Sequence, residues 1–131
     1  MALELQLATP ANADELADLD MAVFGEDGMG PSLMRQELTI GWGMLAMKDG
    51  SILGYALVRP GTLSDLTRLG IKDGYRGLGI GKTLLMAARK AHPGPMMLLV
   101  RKTNKTALEL YAKTGFSIAG TKDTSWLMIA D

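Results

Sequence analysis

The stretch from Asp65 to Ala91, DLTRLGIKDGYRGLGIGKTLLMAARKA, restricts what this chain can fold into more than any other. The apolar-rich run Leu66 to Ile71 predicts a strand, and Lys72-Asp73-Gly74 predicts a turn. A glycine-dense loop follows, Arg76-Gly77-Leu78-Gly79-Ile80-Gly81. From Gly79 onward Ile80, Leu84, Ala87, Ala88 and Ala91 recur on one helical face. A strand that passes through glycines into a helix is suited to holding an anion. The first N–H groups of a helix have no partner within it. Glycine lets the backbone come close to a ligand, and the helix dipole favours negative charge at that end. Arg76 to Lys82 is therefore the expected seat of a phosphate or pyrophosphate. A loop that merely connects a strand to a helix is the plain alternative.

Two nucleotide motifs come near without fitting. Gly81-Lys82-Thr83 ends like a Walker A loop, but Arg76 stands where the first glycine belongs. Gly77-x-Gly79 begins like a dinucleotide fingerprint but reaches Lys82 where the third glycine belongs. A phosphotransferase built on Gly81-Lys82-Thr83 would show magnesium-dependent ATP binding.

Composition narrows the field. The 131 residues have room for a single domain spanning 1–131, and 47% hydrophobic residues can build its core. Basic and acidic residues balance at 14 each, with no long run of one sign, so no nucleic-acid partner is expected. No cysteine is present and His92 is the only histidine. Disulfides, thiolate metal sites and multi-histidine metal sites are excluded, and so is a cysteine nucleophile. The apolar runs are too short to span a bilayer, so no membrane association is expected. The opening MALELQLATP lacks a basic region followed by an apolar core, so a cytoplasmic location is the default expectation.

In chain order, Leu3, Leu5 and Leu7 alternate as in a half-buried strand. A helix capped by Asn12 or Asp14 runs to about Phe24 on a stripe of Leu16, Leu19, Ala22 and Val23. Gly25 to Pro31 reads as a loop, and Ser32 as the cap of a shorter helix. Met44–Met47 and Ile52–Val58 are strands joined by the hairpin signal Asp49-Gly50. After the organising stretch, His92-Pro93-Gly94-Pro95 stops the helix. Met96 to Val100 is a continuous apolar run, as in a strand covered on both faces. Asn104 to Thr114 is a helix closed by Gly115, and Phe116–Gly120 and Ser125–Ile129 pair last. The expected class is α/β, a mixed central sheet flanked by about four helices.

The Arg-x-x-Gly-x-Gly pattern, Arg76 to Gly81 after the strand Leu69-Gly70-Ile71, resembles the acyl-CoA pyrophosphate loop of the GNAT superfamily of N-acetyltransferases. A second segment, LLVRKTNKTALELYAKTGFSIAG, is similar to that superfamily's other signature through Asn104, Ala107, Leu110, Tyr111, Gly115 and Phe116. One departure stands out: Asp73 occupies a position where the family often has proline.

The resemblance implies the GNAT fold and an enzyme, an acetyl-CoA-dependent N-acetyltransferase working by direct attack in a ternary complex. Acetyl-CoA is the implied cosubstrate, with no metal. The pyrophosphate would sit on Arg76, Gly77, Leu78, Gly79, Ile80, Gly81 and Lys82. The pantetheine arm would lie along Leu69, Gly70 and Ile71 like an added strand, with an N–H near Leu69 polarising the thioester oxygen. Asn104 and Ala107 would line the arm, and Tyr111 would donate a proton to the leaving sulfur. Asp65, where the family often carries glutamate, would act as general base, with Thr67 ordering a water. Each has a plainer use: Gly70 in tight packing, Tyr111 as a core ring, Asp65 as a solvated strand-end carboxylate. Glu26 and Asp27 would suit a cationic amine. The acceptor, a small-molecule or peptide amine, stays open, as does a preference for longer acyl chains. Many members pair as homodimers, which leaves the assembly open between one copy and two. A non-catalytic acyl-CoA-binding module is the rival reading; in it neither Asp65 nor Tyr111 need matter.

Overall fold

The leucine alternation at the start forms β1 (Glu4–Ala8), but it buries neither Leu5 nor Leu7, which is 60% exposed. β1 is an edge strand, paired only with β2 (Trp42–Lys48). The computed structural model describes residues 2–131. Between these strands lie α1 (Ala13–Phe24) and α2 (Pro31–Ile40). The α1 stripe is phased differently from the expectation: Ala13, Leu16, Ala17 and Asp20 are buried, whereas Ala22 is exposed. Asn12 precedes α1 but does not cap it; its Oδ1 accepts from Thr9 N at 2.9 Å. α2 starts one residue before Ser32, at Pro31, with Gly30 in the cap position. Proline suits that first position because its missing N–H would be unpartnered anyway. Within the expected Gly25–Pro31 loop, Gly25–Asp27 forms a short 3₁₀ turn.

Asp49 and Gly50 close a tight hairpin between β2 and β3 (Ser51–Arg59), with Lys48 paired to Ser51. Both turn residues have positive φ (50° and 78°), as the turn favoured by twisted strands requires. β4 (Ser64–Ile71) returns antiparallel to β3. α3 (Ile80–Ala91) then crosses the sheet to β5 (Met96–Arg101), which runs parallel to β4. α4 (Lys105–Lys113) leads to the hairpin of β6 (Ser117–Lys122) and β7 (Ser125–Ala130). The sheet has seven strands in the order β1-β2-β3-β4-β5-β7-β6.

The core has two parts. Leu84, Leu85 and Ala88 of α3 are fully buried and pack with Ala56, Val58, Leu98 and Met128 of the sheet. Leu16, Ala17, Met34 and Leu38 of α1 and α2 pack with Leu45, Tyr55 and Leu57. Each such aliphatic side chain contributes about 1.5–3 kcal/mol on leaving water. Methionines fill core gaps at Met34, Met44, Met96 and Met128. The double coverage expected of Met96–Val100 fails on one face, where Met97 is half-buried and Leu99 is 46% exposed, Leu99 for the reason that creates the cleft described next.

Candidate active site

β4 and β5 pair only at Ser64 with Met96 and Asp65 with Met97. Beyond that, β4 follows β3 and β5 follows β7 along their lengths, so the two strands diverge. A β-bulge adds to the divergence. Leu66 pairs with Val58 and Arg68 with Leu57, which leaves Thr67 as the extra residue, and bulges bend a strand and increase its twist. The opening is a cleft of about 980 Å³. One wall is Leu66, Thr67, Leu69 and Ile71, the other is Leu99, Val100 and Arg101, and α4 supplies Ala107 and Tyr111, with Asn104 just before it. Leu99 is exposed because it faces this gap.

Arg76 stands in the wall of the cleft, at the start of the glycine loop. Gly77 and Gly79 both have positive φ (77° and 83°), and a Cβ at either would meet nothing within 4 Å. These positions need glycine for backbone conformation and leave open space above it. The first hydrogen bond of α3 runs from Thr83 N to Gly79 O at 3.0 Å, so the N–H groups of Ile80, Gly81 and Lys82 precede it. Open N–H groups, left-handed glycines and an adjacent guanidinium fit a diphosphate. Arg76 also pairs with Asp73 at 3.1 Å, both side chains exposed. The residue that departs from the family pattern thus puts a carboxylate beside the loop.

Asn104 heads α4, and its side-chain oxygen accepts from Ala107 N at 3.2 Å. That bond occupies the amide oxygen and leaves the amide nitrogen as a donor at the cleft. Tyr111, one side of whose ring packs edge-on against Phe116 at 5.8 Å, is 8% exposed. Burial pushes its phenol up to about 12. Gly115, at φ 98°, ends the helix, with Phe116 N bonded to Tyr111 O at 3.0 Å. This helix-end motif anchors the backbone of Tyr111.

Asp65 does not line the cleft with these residues. It is half-buried near Arg59 and Glu37, and Arg59 is itself bound to Glu37 at 2.6 Å. Burial raises the Asp65 carboxyl above its ordinary value; Arg59 opposes this and Glu37 adds to it. Thr67 lines the cleft, but the bulge breaks its alternation with Asp65, and its hydroxyl donates to Leu57 O at 3.3 Å. Gly70 does not line the cleft either. Its open face is filled by the Tyr55 ring from the neighbouring strand.

One cluster has no counterpart in the sequence reading. Asp20 is fully buried and accepts from Arg68 Nε at 3.0 Å, Arg68 Nη2 at 2.8 Å and the Tyr55 hydroxyl. Burial, and next the bond to Asp20, raise the Tyr55 phenol far above its ordinary value. The signal was present: Asp20 follows Ala13, Leu16 and Ala17 at helical spacing, a carboxylate on the buried face.

The model of the Acetyltransferase (GNAT) family matches residues 9–116. The N-alpha-acetyltransferase RimI of Mycobacterium tuberculosis (strain ATCC 25618 / H37Rv) is 31% identical over 125 residues, 86% of this chain and 77% of that protein. Among solved structures, the ribosomal-protein-S18-alanine N-acetyltransferase from Escherichia coli superposes with a TM-score of 0.86 at 15% identity, over 98% of this chain and 93% of that one. The PaiA N-acetyltransferase from Thermoplasma acidophilum, in complex with coenzyme A, gives 0.78 at 20% identity, over 100% and 99%. These structural likenesses speak for the fold. Taken with the family model and the mycobacterial relative, they make this chain a member of the GNAT family of acetyltransferases, and an acyltransferase.

Proposed function

We propose that the chain transfers the acetyl group of acetyl-CoA to a primary amine by direct attack in a ternary complex. The observation that carries this is the β4–β5 divergence, which runs past Arg76 to the open N-terminus of α3 and has Tyr111 in its wall. The α3 N-terminus and Arg76 to Lys82 bind the diphosphate. The edges of Leu69 and Ile71 turned towards the cleft hold the pantetheine amides, and the Asn104 amide nitrogen adds a donor.

The bound cosubstrate supplies an activated acetyl carbon. The amine nitrogen bonds to that carbon, the carbon–sulfur bond breaks, and the sulfur leaves with the bonding pair. The surplus amine proton passes through water to Asp65, whose raised carboxyl is a stronger base than an ordinary one. Burial defines what Tyr111 does. Handing its proton over completely, from a phenol near 12 to a thiolate whose acid lies near 8.5, is uphill by roughly 5 kcal/mol. Tyr111 therefore serves as a hydrogen-bond donor to the departing sulfur, which takes its final proton from solvent.

The acceptor enters beside Phe24 and Asp27, which line the same cleft. The name of the mycobacterial relative favours the α-amine of a peptide over a small polyamine. Calorimetric titration with acetyl-CoA, and in parallel with ATP and magnesium, tests the cosubstrate. Release of free thiol with an alanine-initiated hexapeptide, spermidine or lysine methyl ester tests the acceptor. Binding of ATP in place of acetyl-CoA would sink the proposal, and turnover of spermidine alone would overturn the peptide preference.

A further inference from the structure

The loop between α1 and α2 forms one side of the cleft, yet its own backbone bond, Gly28 N to Gly25 O at 3.0 Å, is internal. A buried charge network ties it to the sheet. Asp20 is the one fully buried carboxylate among the described residues. It receives Arg68 through both a 3.0 Å and a 2.8 Å bond, and its Oδ2 also accepts from Met29 N at 2.7 Å. Arg68 Nη2 donates a further bond to the Asp27 carbonyl at 2.6 Å. The Phe24 ring lies 4.1 Å from the Arg68 guanidinium carbon. Arg68 thus touches the loop at Phe24 and Asp27 and, through Asp20, braces its far end at Met29, while rooted on β4 within the cleft wall. A planar fork with several donors can do this; a lysine ammonium cannot reproduce the geometry.

The loop so held presents Phe24 and Asp27 to the cleft. Asp27 reaches across to Arg101 on β5, 3.5 Å away. None of these groups lies among the diphosphate-binding or sulfur-facing residues. We propose that Arg68 is a positioning residue for the acceptor: it fastens the Phe24–Met29 loop to β4 and so fixes the wall past which the amine approaches. The inference rests on the acyl-transfer reading of the cleft given above.

Arg68→Lys keeps the charge and gives up the fork. Hydrogen exchange at Met29 N–H is expected to speed up at least tenfold, with β2 and β3 amides unchanged. Acetyl-CoA affinity by calorimetry should stay within twofold. With whichever amine of the three is turned over, KM for the amine should rise about tenfold, the weight of one charge-assisted hydrogen bond, with a much smaller change in kcat. Unchanged exchange at Met29, or a loss falling equally on acetyl-CoA affinity, overturns the proposal. Should Arg68→Lys fail to fold, Phe24→Leu leaves the charge network in place. It should raise the amine KM at constant acetyl-CoA affinity, and an unmoved KM counts against the wall. If the unaltered protein acetylates none of the amines, the transfer reading fails, while exchange at Met29 still decides whether Arg68 holds the loop.

Discussion

Gly70 of β4 stands opposite Tyr55 of β3, and the Tyr55 ring fills the space that a side chain at Gly70 would need. A Cβ built on Gly70 would lie 2.5 Å from Tyr55 Cζ, far inside van der Waals contact. Tyr55 cannot swing away cheaply, because its hydroxyl donates to the buried Asp20. A glycine inside a strand marks a close approach; here what approaches on that face is the protein's own ring.

Gly70→Ala should therefore destabilise the fold. Overpacking costs about 1–3 kcal/mol, so thermal unfolding should shift down by several degrees. An unchanged Tm would show that Tyr55 yields easily and that the Asp20 cluster does not lock it.

The glycine loop separates conformation from contact. Gly79→Ala meets no atom in the free protein but must hold φ at 83°, which costs a residue with a Cβ about 1–2 kcal/mol. Acetyl-CoA affinity should fall by more than that strain accounts for, because the new methyl occupies ligand space; calorimetry beside a melting curve distinguishes the two. Arg76→Glu should weaken acetyl-CoA about tenfold. Asp73→Asn should strengthen it by a few-fold at most, since it frees Arg76 from an exposed pair worth about 0–1 kcal/mol.

Tyr111→Phe keeps the ring against Phe116 and removes the hydroxyl. Stability should change little, while kcat drops about 10²-fold, the lower range for losing one hydrogen-bond donor to charge that develops in the transition state. With the phenol pushed up to about 12, no alkaline fall in rate below pH 10 belongs to Tyr111. An alkaline limb there that disappears in Tyr111→Phe would contradict this.

Asp65 makes opposite demands on rate and stability. Its carboxyl is raised in the fold, chiefly by burial. A raised carboxyl favours the protonated folded state, so its contribution is present at low pH. That contribution is lost as pH climbs from the unfolded value through the folded one. Asp65→Asn should then gain Tm relative to the parent at pH 7 and not at pH 4. If Asp65 is the base, the same change should remove the acidic limb of kcat/KM; a limb that survives assigns the proton to a water chain or another group.

How much of this was legible beforehand differs by element. The hairpin at Asp49-Gly50, the strand–loop–helix from Leu66 to Ala91 and the Gly115 helix end were readable because each is decided by residues next to one another. Glycines, turn pairs and apolar periodicity act over a few residues, and the glycine pattern from Arg76 to Lys82 lies within one such short span. The phase of α1 is hidden in the sequence because Asp20, on its buried face, looks like a surface residue until its partners are known. Those partners, Tyr55 and Arg68, lie 35 and 48 residues away in sequence.

The chain by itself determined the order of elements, the glycine loop and the family, since local propensity and motif spacing suffice for those. Tertiary structure alone decided that β4 and β5 part after two pairs, that Leu99 therefore faces a cleft, and that Asp65 stands outside it. It also decided that Gly70 makes room for Tyr55 and that a buried carboxylate holds the Phe24–Met29 loop. Each of these depends on which strand a given strand follows and on which charges burial brings together, and both are set by contacts distant in sequence.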